Sequence, residues 1–386
     1  MNGIVTLEDL PEKEIFVELK SEFIETIENL IRRNFKIKKF SEKIGISERV
    51  LAHWLNRESS IRLDAFKDII KFCGIKLQNP FTLRGKDGSR INNSRPYFDF
   101  KTSSGVRFIA AILGDGGIRK NHGLFYSNSN IELINGFIND SKQIFGDVEF
   151  NIRKKTKDSN VYMVSLPPIC GKILGQFGLK PGPKVENNPS IPKFIFHLKE
   201  KQIAEFISQI IDDEGSVSIA SRHIKIEFCV IETEEKSNLI DNVQRLLFNL
   251  GIESSVYQYE EYNSTRGPKR KKWQIEIHSS IQLNRLYSLL NLRHRSKKQK
   301  FKKLLDSFQV VCFPKKKCKK IYLSKMKAVE KKKGYFTSFD LSKETSRAVG
   351  TCRNLILRFR KLNLIRCIQP YYAGNLHTLG RYKLIE

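Results

Sequence analysis

Carboxylates are scarce in this chain. Against 69 Lys and Arg its 386 residues hold only 41 Asp and Glu, so the formal charge is +28 at pH 7. An excess of that size goes well beyond what solubility needs and points to a polyanionic partner, most simply nucleic acid. Long apolar runs are missing too. None approaches the ~20 residues of a membrane-spanning helix, and no amphipathic basic helix dominates, which argues against a membrane surface as the partner. Cysteine is sparse and irregular. The seven cysteines (73, 170, 229, 312, 318, 352 and 367) are odd in number and scattered. None has zinc spacing, so they read as reduced, intracellular thiols. The opening stretch, Met1 to Asp9, lacks the form of a signal peptide. A prokaryotic cytoplasmic, nucleoid-associated protein is expected. The apolar fraction, 40%, suits a folded chain rather than a disordered one, and the length suits two or three domains.

What is present is a repeated pattern. Phe108-Ile-Ala-Ala-Ile-Leu-Gly-Asp-Gly116 and Ile207-Ser-Gln-Ile-Ile-Asp-Asp-Glu-Gly215 are both apolar helical runs that end in an acid and a glycine. The acids, Asp115 and Glu214, lie 99 residues apart. A charge placed where a core would otherwise continue is odd once. Twice, it suggests two helices packed together that deliver two carboxylates to one place. The elements after each run recur in the same order: a hairpin, a helix near 131–145 and again near 234–250, a second hairpin, and a closing helix. The expected class is α+β, with two αββαββα repeats at 101–198 and 199–308. Apolar residues alternate along the strands (Val148, Phe150, Ile152; Ile224, Ile226, Phe228, Val230), so one face of each sheet must be covered. The opposite faces are basic. Two such sheets would make a saddle for a duplex, with hairpin tips at phosphates and strand side chains at base edges. Arg119, Arg153 and Lys155 in the first repeat, and Arg222, Lys225, Arg266, Lys269, Arg270, Lys271 and Lys272 in the second, are the candidate DNA-binding groups.

Both ends read as further DNA-binding modules. At the N-terminal end (1–79), a helix beginning near Phe16 precedes a turn at Gly45. A helix capped by Ser47 then carries Val50, Leu51, Trp54 and Leu55 inward. This order resembles a helix-turn-helix domain, with Arg49 and His53 facing DNA. Residues 80–100, with Pro80, Gly85, Gly88 and Pro96, read as a linker. Ten lysines and one glutamate between 315 and 333 read as part of a basic linker over 309–333. Residues 334–386 follow the order of a winged helix. Leu355, Ile356, Phe359 and Leu362 are expected inside, and Arg353, Asn354, Arg358 and Arg360 outside.

The two nine-residue runs resemble the motif of the LAGLIDADG homing endonucleases, in their single-chain, double-motif form, over about 200 residues. The resemblance extends to Lys184 ahead of Ile191-Pro192, and to the basic run His294 to Lys300. It implies that Asp115 and Glu214 bind the catalytic divalent ions, Mg²⁺ or Mn²⁺. It also implies that Lys184 and Lys297 assist catalysis, and that the protein cleaves double-stranded DNA at a specific site as a monomer. Hard oxygen ligands holding Mg²⁺ suit phosphodiester hydrolysis. The second motif departs from the family at Gln209, where a small residue usually lets the helices approach. Two other readings use the same fold: a transcriptional regulator that has lost cleavage, and a maturase that binds intron RNA. An intein is not expected, since the chain neither opens with Cys or Ser nor closes with His-Asn.

Overall fold

A computed structural model describes residues 2–75, 81–156, 158–262, 269–308, 318–369 and 380–385, with the side chains of 260–262 and 318 left out. By its internal contacts the chain divides into two compact units. One comprises Met1–Gly215, Ile226–Ile275 and Leu289–His294; the other comprises Ser216–Lys225, Glu276–Ser288 and Arg295–Glu386.

The first unit opens with β1 (Ile4–Thr6) and β2 (Ile15–Glu18), then α1 (Ser21–Asn34), α2 (Ile37–Lys43) and α3 (Glu48–Leu55). β3 (Ile61–Arg62) leads into α4 (Leu63–Cys73). Two local expectations hold. Gly45 has φ 68°, the left-handed turn that joins α2 to α3, and the Ser47 hydroxyl accepts the Val50 N–H at 3.2 Å as the α3 N-cap. Two do not. The residues around Phe16 are a strand rather than the start of a helix, because β2 pairs with β3 and β4. Val50, expected inside, is 47% exposed, while Leu51, Trp54 and Leu55 are buried.

The presumed linker at 80–100 is structured. It forms β4 (Phe81–Gly85), β5 (Arg90–Ser94) and β6 (Tyr97–Asp99). β4 and β5 join a five-stranded sheet ordered β3-β2-β4-β5-β9, and β6 pairs with β1. Here β9 is Asp147–Val148, beyond the first hairpin of the repeat region. Ile91 pairs with Val148, so the N-terminal sheet and the first repeat share a strand neighbour. Turn-forming residues bound short strands as readily as they mark a spacer.

The first repeat follows the expected order. It contains α5 (Ser103–Leu113), β7 (Gly116–Ile118), β8 (Leu124–Asn128), α6 (Ile131–Phe145), β10 (Asn151–Lys154), β11 (Tyr162–Leu166) and α7 (Pro168–Gly175). Next comes a short α8 (Lys184–Asn187). The second repeat contains α9 (Glu200–Glu214), β12 (Gly215–Ser218), β13 (His223–Ile231), α10 (Asn238–Asn249), β14 (Ser255–Tyr262), β15 (Arg270–Ile277) and α11 (Ser280–Leu289). The two four-stranded sheets are ordered β10-β11-β8-β7 and β12-β13-β15-β14. Taken in order of appearance, both place the first two strands next to each other and the second against the fourth. The repeat is thus a repeat of topology as well as of sequence. On β13 the buried residues are Ile224, Ile226, Phe228 and Val230, as their alternation requires. The run from Val148 to Ile152 is corrected: Val148 leaves for the N-terminal sheet, and Ile152 is 53% exposed. Around α5, stacked and edge-on contacts link Phe98, Phe100, Phe108, Phe137 and Phe145. These rings form the apolar centre that holds the helix.

The second unit includes α12 (Arg295–Asp306), α13 (Cys318–Lys333), α14 (Ser338–Thr345), α15 (Val349–Lys361), β16 (Ile365–Gln369) and β17 (Arg381–Leu384). Part of the expected basic linker is therefore helix α13. It is not simply solvated: Tyr322, Met326 and Val329 join Phe336, Leu341, Ile356, Phe359 and Ile365 in one core. Thr337 and Asp340 cap α14 reciprocally. Leu362, expected inside, is 54% exposed, since α15 ends at Lys361. The two segments expected as strands pair antiparallel as β16 and β17. No helix among the described residues is long and apolar enough to cross a membrane.

Candidate active site

Helices α5 and α9 pack along each other; α9 ends at Glu214, and α5 ends two residues before Asp115. The first glycine of the Gly114-Asp-Gly116 turn explains how closely they meet. A methyl group built on Gly114 would lie 2.5 Å from Asp213 Oδ2. The glycine leaves the space that the carboxylate of the opposite helix fills. Further back along the interface, Arg107 of α5 donates to Glu205 of α9 at 2.7 Å and to Asp140 of α6 at 2.9 Å. Arg293 also grips Asp140, at 2.7 and 3.0 Å. These charges are buried together, and each has a partner of opposite sign.

Asp115 and Glu214 therefore come together at the ends of packed helices. Asp115 Oδ2 accepts from Asn128 Nδ2 of β8 at 2.7 Å. A third carboxylate, Asp213, stands with them. Tyr126 donates its hydroxyl to Asp213 Oδ1 at 2.6 Å, and Gln209 donates Nε2 to the same oxygen at 3.0 Å. Asp213 Oδ2 is sealed from solvent without a hydrogen-bond partner, although the residue as a whole is only partly buried. Burial, and then the charges of Asp115 and Glu214, push the Asp213 carboxyl well above its ordinary range. Burial, and then the charges of Asp213 and Asp115, push the Tyr126 phenol upward. Gln209 is thus no wedge between the helices. Its amide holds the inserted carboxylate.

Lys184 is brought to this place and Lys297 is not assigned to it. Lys184 opens α8, and its Nζ donates to the carbonyl of Leu113 at 2.9 Å and to that of Gly114. These are carbonyls that the end of α5 leaves unpaired. Burial lowers the Lys184 pKa, while Glu214, Asp115 and Asp213 pull it back up. A cleft of about 210 Å³ opens here, lined by Lys184, Glu214, Glu227 and Cys229 among others. Lys297 lies on α12, in the second unit. It follows the segment in which Arg293 N and His294 N donate to Asp212 at 2.8 and 3.3 Å.

The proposed DNA-binding residues are dispersed. Arg49 is exposed on α3 and donates to His53 Nε2 at 3.3 Å, while His53 also meets Glu58. Arg119 bonds Ser165 at 3.0 Å across its sheet. Arg153 and Lys155 are exposed, as are Arg353 and Arg358 on α15, and Lys225 is half-buried on β13. Arg222 donates to the Ser346 carbonyl. Around β15, Lys272 pairs with Glu227 at 2.8 Å and Lys271 donates to the Glu234 carbonyl at 3.0 Å. Beside them, Arg270 is half-buried and Lys269 is exposed. Arg266 lies outside the described residues.

Asp213 is the site residue that the sequence reading missed. Its only signal was the acid between Asp212 and Glu214. Replacing it with Asn keeps the contacts to Tyr126 and Gln209 and removes a buried carboxylate. In chelator-containing buffer at pH 7, Asp213→Asn is expected to stabilise the chain by about 1–3 kcal/mol. The sign follows from linkage. A carboxyl raised on folding binds its proton more tightly in the folded state, so it costs no stability below the ordinary pKa of about 4. The cost then grows as pH rises toward the folded pKa. Urea titrations should show the variant's advantage fading toward pH 4; an advantage independent of pH would refute this account.

The chain is similar to several known proteins. The homing endonuclease I-DmoI in complex with DNA and Mn is 14% identical, over 50% of this chain and 98% of that one, with a TM-score of 0.34. Mesophilic variants of I-DmoI are 13% identical, over 50% and 97%, with a TM-score of 0.35. Glutamine–fructose-6-phosphate aminotransferase (isomerizing) of Methanocaldococcus jannaschii is 23% identical over 354 residues, covering 86% of this chain. The match spans only 30% of that relative's length. The model of the LAGLIDADG-like domain matches residues 201–291, which include the second acid-ended motif. Over residues 201–291 the chain is thus similar to a LAGLIDADG-like domain.

Proposed function

We propose that the chain is a site-specific, divalent-metal-dependent double-strand DNA endonuclease. The observation that carries this reading is the convergence of Asp115, Glu214 and Lys184 at the ends of two packed helices. The donor set fits a hard cation. It consists of carboxylate oxygens, and one of them, Asp213 Oδ2, is buried without a partner. Asp115 and Glu214 would hold Mg²⁺ or Mn²⁺, with Asp213 behind them. The I-DmoI structures with DNA were solved with Mn or Mg. A bound ion supplies Lewis-acid polarisation of the scissile phosphate and acidifies a water.

The chain's own residues do the rest. Asn128 orients Asp115. Lys184 ties down the last carbonyls of α5 and sets a cation among the acids, where it offsets charge that grows on the phosphate. The net charge of +28 draws the duplex in and makes binding fall steeply with salt. The exposed faces of α3 and α15, carrying Arg49, His53, Arg353 and Arg358, would add contacts as helix-turn-helix and winged-helix modules.

The test is incubation of the full chain with Mg²⁺ and a randomised duplex library. Discrete cleavage products that vanish on chelation are expected. Sequence-specific binding without cleavage would overturn the endonuclease and favour a regulator, whose reading rests on those same α3 and α15 faces.

A further inference from the structure

Within the second unit, three side chains outside the acid pair converge as potential ligands. They are His223 at the start of β13, Glu276 near the end of β15, and His278 just beyond it. On β15, residues two apart share a face. Glu276 and His278 therefore point one way, while Ile275 and Ile277 are buried on the other, at 0% and 1% exposure. β13 is the neighbour of β15 in the sheet, which brings His223 alongside. His278 Nε2 lies 2.6 Å from Glu276 Oε2, and His223 Nδ1 lies 3.9 Å from the same oxygen. The two imidazoles meet edge to face, with centroids 5.2 Å apart. One ligand atom from each residue falls within 4.8 Å of the other two. Only seven histidines occur in the chain, so their meeting around a carboxylate is not a by-product of abundance.

We propose that His223, Glu276 and His278 form a second metal site, which takes a borderline transition dication, Zn²⁺ by preference. Two imidazole nitrogens and one carboxylate oxygen match the ligands that Zn²⁺ takes at about 2.0–2.2 Å. Tetrahedral bonds of that length set ligand atoms about 3.3 Å apart. The contacts of 2.6 and 3.9 Å bracket that spacing, so small side-chain rotations suffice. His278 is 47% exposed while His223 and Glu276 are 14% and 11% exposed, so the ion has an entry side and a sheltered seat. Three protein ligands leave a fourth position for water or a ligand group. The mixed nitrogen–oxygen set separates this site from the all-oxygen acid pair, which suits Mg²⁺. A bound ion would fasten the start of β13 to the end of β15.

The experiment is a titration of the metal-free full-length chain with Co²⁺, read by visible absorption, followed by displacement with Zn²⁺. One equivalent with a tetrahedral d–d spectrum is expected, displaced by Zn²⁺ but not by excess Mg²⁺. Zn²⁺ should also raise the Tm. His278→Ala and Glu276→Gln should each weaken binding at least tenfold, whereas Asp115→Asn with Glu214→Gln should leave it unchanged. Because His278 is exposed, its variant tests the site without disturbing the core. The proposal fails if the wild type shows no such spectrum, or if His278→Ala binds as tightly as wild type. It also fails if thiolate charge-transfer bands show cysteines to be the ligands, or if the Asp115/Glu214 variant loses the ion.

Discussion

Replacing Asp115 with asparagine, or Glu214 with glutamine, is expected to lower duplex cleavage at least a hundredfold while leaving duplex binding in place. A hundredfold corresponds to about 2.7 kcal/mol of barrier, the scale on which removing one preorganised electrostatic group acts. Both substitutions keep the side chain's shape and remove its charge, so the packing of α5 on α9 should persist. Binding should survive because the charge that draws DNA is spread over a chain with a net +28. Neutralising an acid beside phosphates cannot weaken that attraction. Cleavage and binding measured on one labelled target separate the two effects. If both variants cut at the wild-type rate, the acids are helix ends and nothing more. If binding is lost together with cleavage, they support the fold rather than the chemistry.

Arg107→Ala is expected to destabilise the first unit by about 3 kcal/mol, measured by urea denaturation of the full chain at neutral pH. The guanidinium bonds Asp140 and Glu205 at once, and both acids are nearly inaccessible, at 3% and 8% exposure. Losing it leaves Glu205 without its strong partner and Asp140 with Arg293 alone. Removing one member of a buried charge network costs far more than the intact network contributes, because the remaining charge stays desolvated. Arg107→Lys should fall between the two, since it keeps the charge but loses the fork that reaches both acids. An effect below about 1 kcal/mol, the scale of an exposed pair, would show that the network relaxes into solvent. Arg107 lies about two turns before Asp115, so reduced cleavage in the folded variant would report helix alignment transmitted along α5.

Much was legible where a signal is local. Helix α6 occupies residues 131–145, as its apolar spacing requires, and β13 buries every second residue. Ser47 and Gly45 act as cap and turn. Each of these needs only the periods of a helix or strand and the hydrogen-bonding reach of a neighbour, and all of that is written within a few residues. The 80–100 segment misled for a related reason. Turn-forming residues mark the ends of short strands as readily as they mark a spacer, and only the partner strands β2 and β9 distinguish the two.

By itself the sequence determined that two helical runs would each lead to an acid and a glycine, that two sheets would follow in the same order, and that the chain carries a large positive charge. Tertiary structure alone decided what surrounds the acids. It placed Asp213 against Gly114, turned Gln209 from an intruder into a hydrogen-bond donor, and set Lys184 on the carbonyls at the end of α5. It also brought His223 to Glu276 and His278. These partners are separated by tens of residues, and their meeting depends on which faces of distant elements pack together. Periodicity shows that a face must be covered; it does not show which residue will cover it.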